Sequence, residues 1–85
     1  MTQAEAFLPR VRRLALNRQA TEAQVFLEEG FLYLRQDGFA CFAQGVEAEG
    51  VEGFSLGRTG VVIRFKDGSA LRLTYRLGRL RPRLC

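Results

Sequence analysis

Apolar and polar residues alternate most regularly over residues 60–77, on both sides of Asp67-Gly68. An Asp-Gly pair between two alternating segments is a strong signal for a β-hairpin. A two-residue turn would place arginines beside apolar side chains on both faces of this hairpin, which is unfavourable. A three-residue loop that ends with Gly68 in the left-handed conformation, as a bulge, pairs Ile63 with Leu71 and keeps the apolar side chains together. The pattern therefore predicts a hairpin with one apolar face and one arginine-bearing face.

The two faces of this hairpin have different expected roles. The apolar face continues through Tyr75 and Leu77, and we expect it to be buried. After Gly78 the chain carries three more arginines and a proline, which predicts a basic C-terminal tail over 79–85 beyond a single small domain over 1–78. The arginines that the outer face and the tail offer to an anion are Arg64, Arg72, Arg76, Arg79, Arg81 and Arg83.

A second Asp-Gly pair, Asp37-Gly38, lies between apolar segments over 31–36 and 39–44 and predicts another hairpin. Bulky apolar side chains fall on both faces of this hairpin. It is therefore expected either in the centre of a sheet or at a surface between subunits. The candidate residues for self-association are Phe31, Tyr33, Phe39 and Cys41.

The first residues have the spacing of a helix N-terminus. Thr2 and Glu5 match a capping box, in which the threonine hydroxyl and the glutamate satisfy free backbone N–H groups. Apolar residues in the following segment recur at helical spacing. Pro9 is unfavourable inside a helix because its ring removes a backbone hydrogen bond. Either residues 2–7 form a separate turn or the main helix begins near Pro9, and we favour an amphipathic helix from about Pro9 to Gln19.

Two middle segments have ambiguous patterns. Residues 21–30 fit either a short helix that ends at Gly30 or a strand through Val25, and the strand is favoured. Residues 45–60 contain five glycines and several acidic residues, which indicates a mobile loop or a weak strand near Phe54. The predicted fold class is α+β, with one N-terminal amphipathic helix packed on an antiparallel meander of four or five strands.

Charge is distributed unevenly along this chain of 85 residues and net charge +4. Residues 1–20 carry four arginines and one acid, residues 21–53 one arginine and seven acids, and residues 54–85 eight basic residues and one acid. The basic segments are therefore expected to meet either an anionic partner or the acidic middle of the same or a neighbouring subunit. Twelve of the thirteen basic residues are arginines, which suits bidentate recognition of phosphate or carboxylate and is equally consistent with codon bias in a GC-rich genome.

The residues needed for several common chemistries are missing from the sequence. There is no histidine, and the two cysteines, Cys41 and Cys85, cannot supply the four ligands of a structural zinc site or a disulfide framework. No nucleophile elbow, phosphate-binding loop or paired catalytic carboxylates occur. No apolar segment is long enough for a membrane span. We therefore expect a cytoplasmic, non-enzymatic protein without a cofactor.

Two functions fit these observations. The first is a small interaction module that forms a homodimer or binds another protein, since a domain of this size buries little core by itself. The second is a nucleic-acid-binding module that uses the arginine face and the tail. Aromatic residues alternate away from the arginines, so stacking on bases is not expected there, although contact with the phosphate backbone is. Self-association is the function favoured by the sequence.

Overall fold

The computed structural model describes residues 1–38 and 50–85 together with the backbone of 40–42, and these residues form two antiparallel sheets and one short helix. The N-terminal sheet has the strand order β1-β2-β3-β4 and the C-terminal sheet the order β5-β6-β7-β8. The elements in chain order are α1 Gln3–Phe7, a 3₁₀ turn Leu8–Arg10, β1 Val11–Leu16, β2 Glu22–Leu27, β3 Phe31–Arg35, β4 Ala40–Phe42, β5 Val51–Leu56, β6 Gly60–Phe65, β7 Ala70–Arg76 and β8 Arg79–Leu84.

One hydrophobic core holds the two sheets and the helix together. Every second side chain of the central strands points into this core, as the alternation in strands requires. The hydroxyl of Tyr75 in β7 also donates a hydrogen bond to the carbonyl of Leu14 in β1, which links the sheets directly. The buried core residues are Ala4, Phe7, Leu14, Ala23, Val25, Leu27, Leu32, Leu34, Val61, Ile63, Phe65, Leu71 and Leu73.

The hairpin of β6 and β7 has the register predicted from its alternation. Ile63 lies opposite Leu71 and Val61 opposite Leu73, so the apolar side chains share the inner face. Gly68 has a φ of +87°, and its N–H donates to the carbonyl of Phe65 at 3.0 Å. The three-residue loop with a left-handed glycine is confirmed.

The predicted helix over Pro9 to Gln19 is wrong, because β1 occupies most of that segment. Thr2 does cap a helix, and its hydroxyl accepts the N–H of Glu5, but this helix is short and is followed by a 3₁₀ turn that contains Pro9. In β1 the register shifts between Val11 and Arg13. This irregularity interrupts the two-residue alternation, so the strand was not recognisable from its pattern.

The segments that were ambiguous in the sequence are strands where they are described. Residues 21–30 contain β2, and the weak strand expected near Phe54 is β5. The Asp37-Gly38 hairpin joins β3 to β4, and its flanking segments reach Phe39 and Gln44, which lie outside the described residues. Residues 45–49 of the glycine-rich segment lie outside them as well.

The C-terminal residues differ from their expected arrangement. Leu77 was expected on the buried face, but it is 90% exposed and adopts a φ of +54° in a two-residue turn with Gly78, whose φ is +76°. The turn returns the chain as β8, which pairs with β7 along its length, so residues 79–84 of the expected tail are part of the sheet. The fold is accordingly α+β and mostly sheet, and no helix within the described ranges is long and apolar enough to span a membrane.

Three hydrogen bonds, which we call the latch, join α1 to the turn between β6 and β7. The N–H of Gln3 donates to a carboxylate oxygen of Asp67 at 2.8 Å, and the N–H of Asp67 donates to the side-chain oxygen of Gln3 at 3.0 Å. The N–H of Ala4 donates to the hydroxyl of Ser69 at 3.0 Å. The hydroxyl of Ser69, and then the backbone N–H of Gln3, lower the pKa of Asp67 below its usual 3.8 by stabilising the carboxylate.

This latch makes an acid-sensitive contribution to stability. A carboxylate with a lowered pKa in the folded state stabilises the fold above its unfolded pKa, and this contribution is lost as the pH falls through the folded pKa. We expect Asp67→Asn to melt at a lower temperature than the unaltered chain at neutral pH, and the difference to shrink below about pH 4. Thermal melts followed by circular dichroism over a pH series measure this, and a difference that is constant with pH would contradict it.

Candidate functional site

All six arginines expected to bind an anion lie on the outer face of the C-terminal sheet. In β6 and β7 they alternate with the core residues, and the sheet register carries the same alternation into β8. Within β8, Leu80, Pro82 and Leu84 lie opposite inward-facing positions of β7, so the arginines between them point outward. The arginine face consists of Arg64 in β6, Arg72 and Arg76 in β7, and Arg79, Arg81 and Arg83 in β8.

Two pairs of arginines lie directly opposite one another in this face. Arg72 is the cross-strand partner of Arg83, and Arg76 is the partner of Arg79 across the turn. Side chains at such positions start about 5 Å apart at their Cβ atoms, and like charges there destabilise a sheet. The free protein therefore holds like charges close together at two places on a single surface.

No carboxylate of the described residues forms an ion pair with the arginine face. The ion pairs in the described residues join Arg10 to Glu29, Arg12 to Glu28 and Arg35 to Asp37, all outside the C-terminal sheet. Within the arginine face, Arg64 donates a hydrogen bond to the hydroxyl of Ser55 at 2.8 Å. Glu52 in β5 forms none of these ion pairs, and Glu47 and Glu49 lie outside the described residues. The six guanidinium groups thus have no ion-pair partner among the described residues.

Small side chains lie between these arginines and keep the surface accessible. The positions opposite or beside them include Gly53, Val62 and Thr74, and the outward-facing side chains of this sheet that are described include no aromatic ring. Gly60 has space for no side chain, because a Cβ there would lie 2.0 Å from the carbonyl oxygen of Leu73. A shallow depression of about 270 Å³ lies beside Arg72, where Gly60 and Val62 line it together with three hydroxyl groups.

The arginines of β8 are evenly spaced along the strand. Because every second residue points outward, the Cα atoms of neighbouring arginines are roughly 6.8 Å apart, and those of Arg79 and Arg83 roughly 14 Å apart. One strand of B-form DNA places a phosphate about every 3.4 Å along the helix axis. The row in β8 thus offers positive charges at a regular repeat, as a nucleic-acid strand offers negative charges at a regular repeat.

The edge formed by β8 is protected against pairing with another strand. The N–H of Cys85 donates to the carbonyl of Ala70 at 3.1 Å, so these two residues form a hydrogen-bonded pair. Hydrogen-bonded and non-bonded pairs alternate along an antiparallel ladder, so Arg83 and Arg72 form a hydrogen-bonded pair as well. Pro82 occupies the adjoining non-bonded pair, so its nitrogen, which has no hydrogen, faces the open edge. Proline and charge at an edge discourage association between sheets.

Those residues expected to mediate self-association that the structure describes lie on the other sheet, apart from the arginine face. Phe31 and Tyr33 are on the outer face of β3 and are partly exposed. The backbone of Cys41 pairs with Tyr33, and Phe39 lies outside the described residues. Tyr33 also donates a hydrogen bond to Glu22 at 2.7 Å.

Two further residues of this surface were missed in the sequence. Phe26 lies between Arg13 and Phe31 in the cross-strand register. The guanidinium carbon of Arg13 is 4.4 Å from the centre of the Phe26 ring, and the rings of Phe26 and Phe31 are 5.8 Å apart. The signal for these neighbours is the alternation of outward-facing residues in β1 and β2. The helix predicted over β1 conceals the contribution of that strand.

No group of three or more potential metal ligands occurs among residues 1–38 and 50–85. Comparison of the chain with models of protein families, with curated proteins and with solved structures finds no match.

Proposed function

We propose that this protein binds nucleic acid through the phosphate backbone, with the arginine face of the C-terminal sheet as its contact surface. The observation that carries this proposal is the set of six arginines on one face, two pairs of them directly opposite each other, with no ion pair to a described carboxylate. A surface of this kind is more stable with an anion between its charges than without one.

The extent of the arginine face favours a polymeric anion. A single phosphate is bound by one or two guanidinium groups, whereas these six arginines extend over three strands and much of the length of β8. Each arginine that neutralises a phosphate also releases a counterion, so an array gains affinity from a linear polyanion. Regular spacing along β8 suits the repeated phosphates of a nucleic-acid strand.

The side chains of the arginine face favour binding that is independent of sequence. Aromatic rings that stack on unpaired bases are absent from the outward positions described, and the six arginines lie on strands and not on a helix that could enter a groove. Contacts to phosphate position a protein on nucleic acid without reading the bases. We accordingly propose a binding protein and not an enzyme, since guanidinium groups remain charged and cannot exchange protons near neutral pH.

Fluorescence polarisation with labelled duplex and single-stranded DNA and RNA tests this function. We expect binding at about 50 mM salt that weakens by roughly a thousandfold at about 200 mM, as for a protein with about six phosphate contacts. Scrambling the sequence of the probe should leave the affinity unchanged. Absence of binding to every probe at low salt would reject the proposal, and equal binding to an acidic polypeptide would replace nucleic acid with a protein partner.

A further inference from the structure

The outer face of the N-terminal sheet has a second, unrelated surface that forms two cross-strand rows. One row contains Arg13, Phe26 and Phe31, and the next contains Ala15, Gln24 and Tyr33. The inner side of the same sheet packs on the common core, so these residues lie on the side away from the C-terminal sheet. We call this surface the aromatic face, defined as Arg13, Ala15, Gln24, Phe26, Phe31 and Tyr33.

The aromatic face is low on one side and high on the other. The exposed position of β1 in the second row is Ala15, and a depression of about 280 Å³ lies over Gln24, between Ala15 and the Tyr33 ring of the same subunit. On the opposite side, β3 carries the rings of Phe31 and Tyr33. In this row the size of the side chains therefore increases from Ala15 in β1 to Tyr33 in β3.

We propose that the aromatic face binds the same face of a second copy of this chain, with a two-fold axis parallel to β2. Rotation about this axis places β1 of one copy against β3 of the other. Tyr33 of the partner subunit then faces the depression at Ala15, and Phe31 of the partner subunit faces Arg13. Sheets that pack face to face keep their strands within about 30° of one another, which this arrangement satisfies.

Self-complementarity is the reason for choosing a second copy as the partner. In a two-fold interface each contact occurs twice, so a surface must offer both members of each contacting pair. Here a large ring is matched by a depression, and a second ring is matched by a guanidinium group. Arg13 already lies over the ring of Phe26 in its own subunit, and a cation between two aromatic rings gains from both. At the two-fold axis, Phe26 of one subunit faces Phe26 of the partner subunit.

The expected dimer is weak. One face of a small sheet offers less area than the roughly 800 Å² per partner of a standard interface, so we expect a dissociation constant in the micromolar range. Sedimentation velocity and light scattering over a series of concentrations should show a shift from monomer to dimer. A monomer at every concentration up to the high micromolar range would overturn the proposal.

Variants at facing positions test the geometry of the axis. Phe31→Arg brings a positive charge against Arg13 of the partner subunit, and we expect it to weaken association at least tenfold. Phe31→Glu brings an opposite charge to the same place and should weaken association less. The double variant Arg13→Glu with Phe31→Arg should restore dimerisation, and failure of this charge exchange in a folded protein would reject the proposed axis.

Two variants that each replace an alanine with arginine distinguish the effect of this surface from a general effect of added charge. Ala15→Arg fills the depression and should abolish the dimer, whereas Ala6→Arg places the same side chain on an exposed position of α1 and should not. Circular dichroism confirms that both are folded. Nucleic-acid binding is measured on the same samples, so a monomer that binds nucleic acid overturns the dimer and leaves the proposed function intact.

Discussion

Replacing Arg72 and Arg83 together with glutamine should weaken nucleic-acid binding while raising the melting temperature of the free protein. Each lost phosphate contact removes about 0.9 from the slope of log affinity against log salt on duplex DNA, so the slope should decrease by about 1.8 and the affinity at low salt by on the order of a hundredfold. The same change relieves repulsion between directly opposed charges. A gain of on the order of a few degrees is expected at low salt.

Opposite changes in binding and stability make this result informative, because damage to the fold would lower both. The matched control compares Arg83→Gln with Arg18→Gln, since Arg18 is exposed in the turn between β1 and β2 of the other sheet. Arg18→Gln should change neither the salt slope nor the melting temperature appreciably. An equal loss of affinity in both variants would show that net charge, and not the arginine face, determines binding.

Phe65→Ala should lower the free energy of unfolding of the protein strongly. The Phe65 side chain is 1% exposed and packs on Phe7, with 5.4 Å between the ring centres, where α1 meets the core. Removing a buried phenyl ring costs about 3–5 kcal/mol. A domain of this size has on the order of 4–13 kcal/mol of stability in total, so the loss takes away a large part of it.

Leu77→Ala provides the comparison for this core substitution. Leu77 is also a large apolar residue, but it lies exposed in the turn between β7 and β8, so its truncation should change stability by less than about 0.5 kcal/mol. Urea unfolding followed by circular dichroism measures both variants. If Phe65→Ala cost as little as Leu77→Ala, the docking of α1 on the core would have to be abandoned.

The parts of this fold that could be predicted are those in which neighbouring residues determine the outcome. The register of the β6–β7 hairpin follows from alternation and from a left-handed glycine, both of which are local. The predicted arginine positions in these strands follow from the same register. The N-cap at Thr2 is equally local, since it depends on residues three apart in the sequence.

The wrong predictions concern segments whose structure depends on residues outside the local sequence pattern. The segment of β1 resembles a helix in sequence because a shift in register breaks its alternation and because Val11, Leu14 and Ala15 have the spacing of one helix face. Its strand conformation depends on pairing with β2, a tertiary preference that overrides local propensity. Phe26 and Arg13 could not be joined into one surface until that pairing was known.

The composition of the C-terminal segment predicts its exposure correctly but does not predict that it forms a strand. Charge and Pro82 indicated a segment unsuited to a core, and the side chains of β8 are indeed mostly exposed. An edge strand needs only one apolar side and tolerates proline at its open edge. The turn at Leu77-Gly78, with two consecutive positive φ values, turns this segment back onto β7 and assembles the arginine face.

The latch between α1 and the β6–β7 turn has a consequence for the order in which the chain folds. Gln3 and Asp67 are separated by 64 residues, so the latch closes only after the chain has been synthesised as far as Asp67. Strands β1 to β3 pair through nearby residues and can associate earlier, but their inner face has no cover until the second sheet appears. We therefore expect the nascent chain to expose an apolar face between the synthesis of the two sheets, and aggregation to be most favourable in that interval.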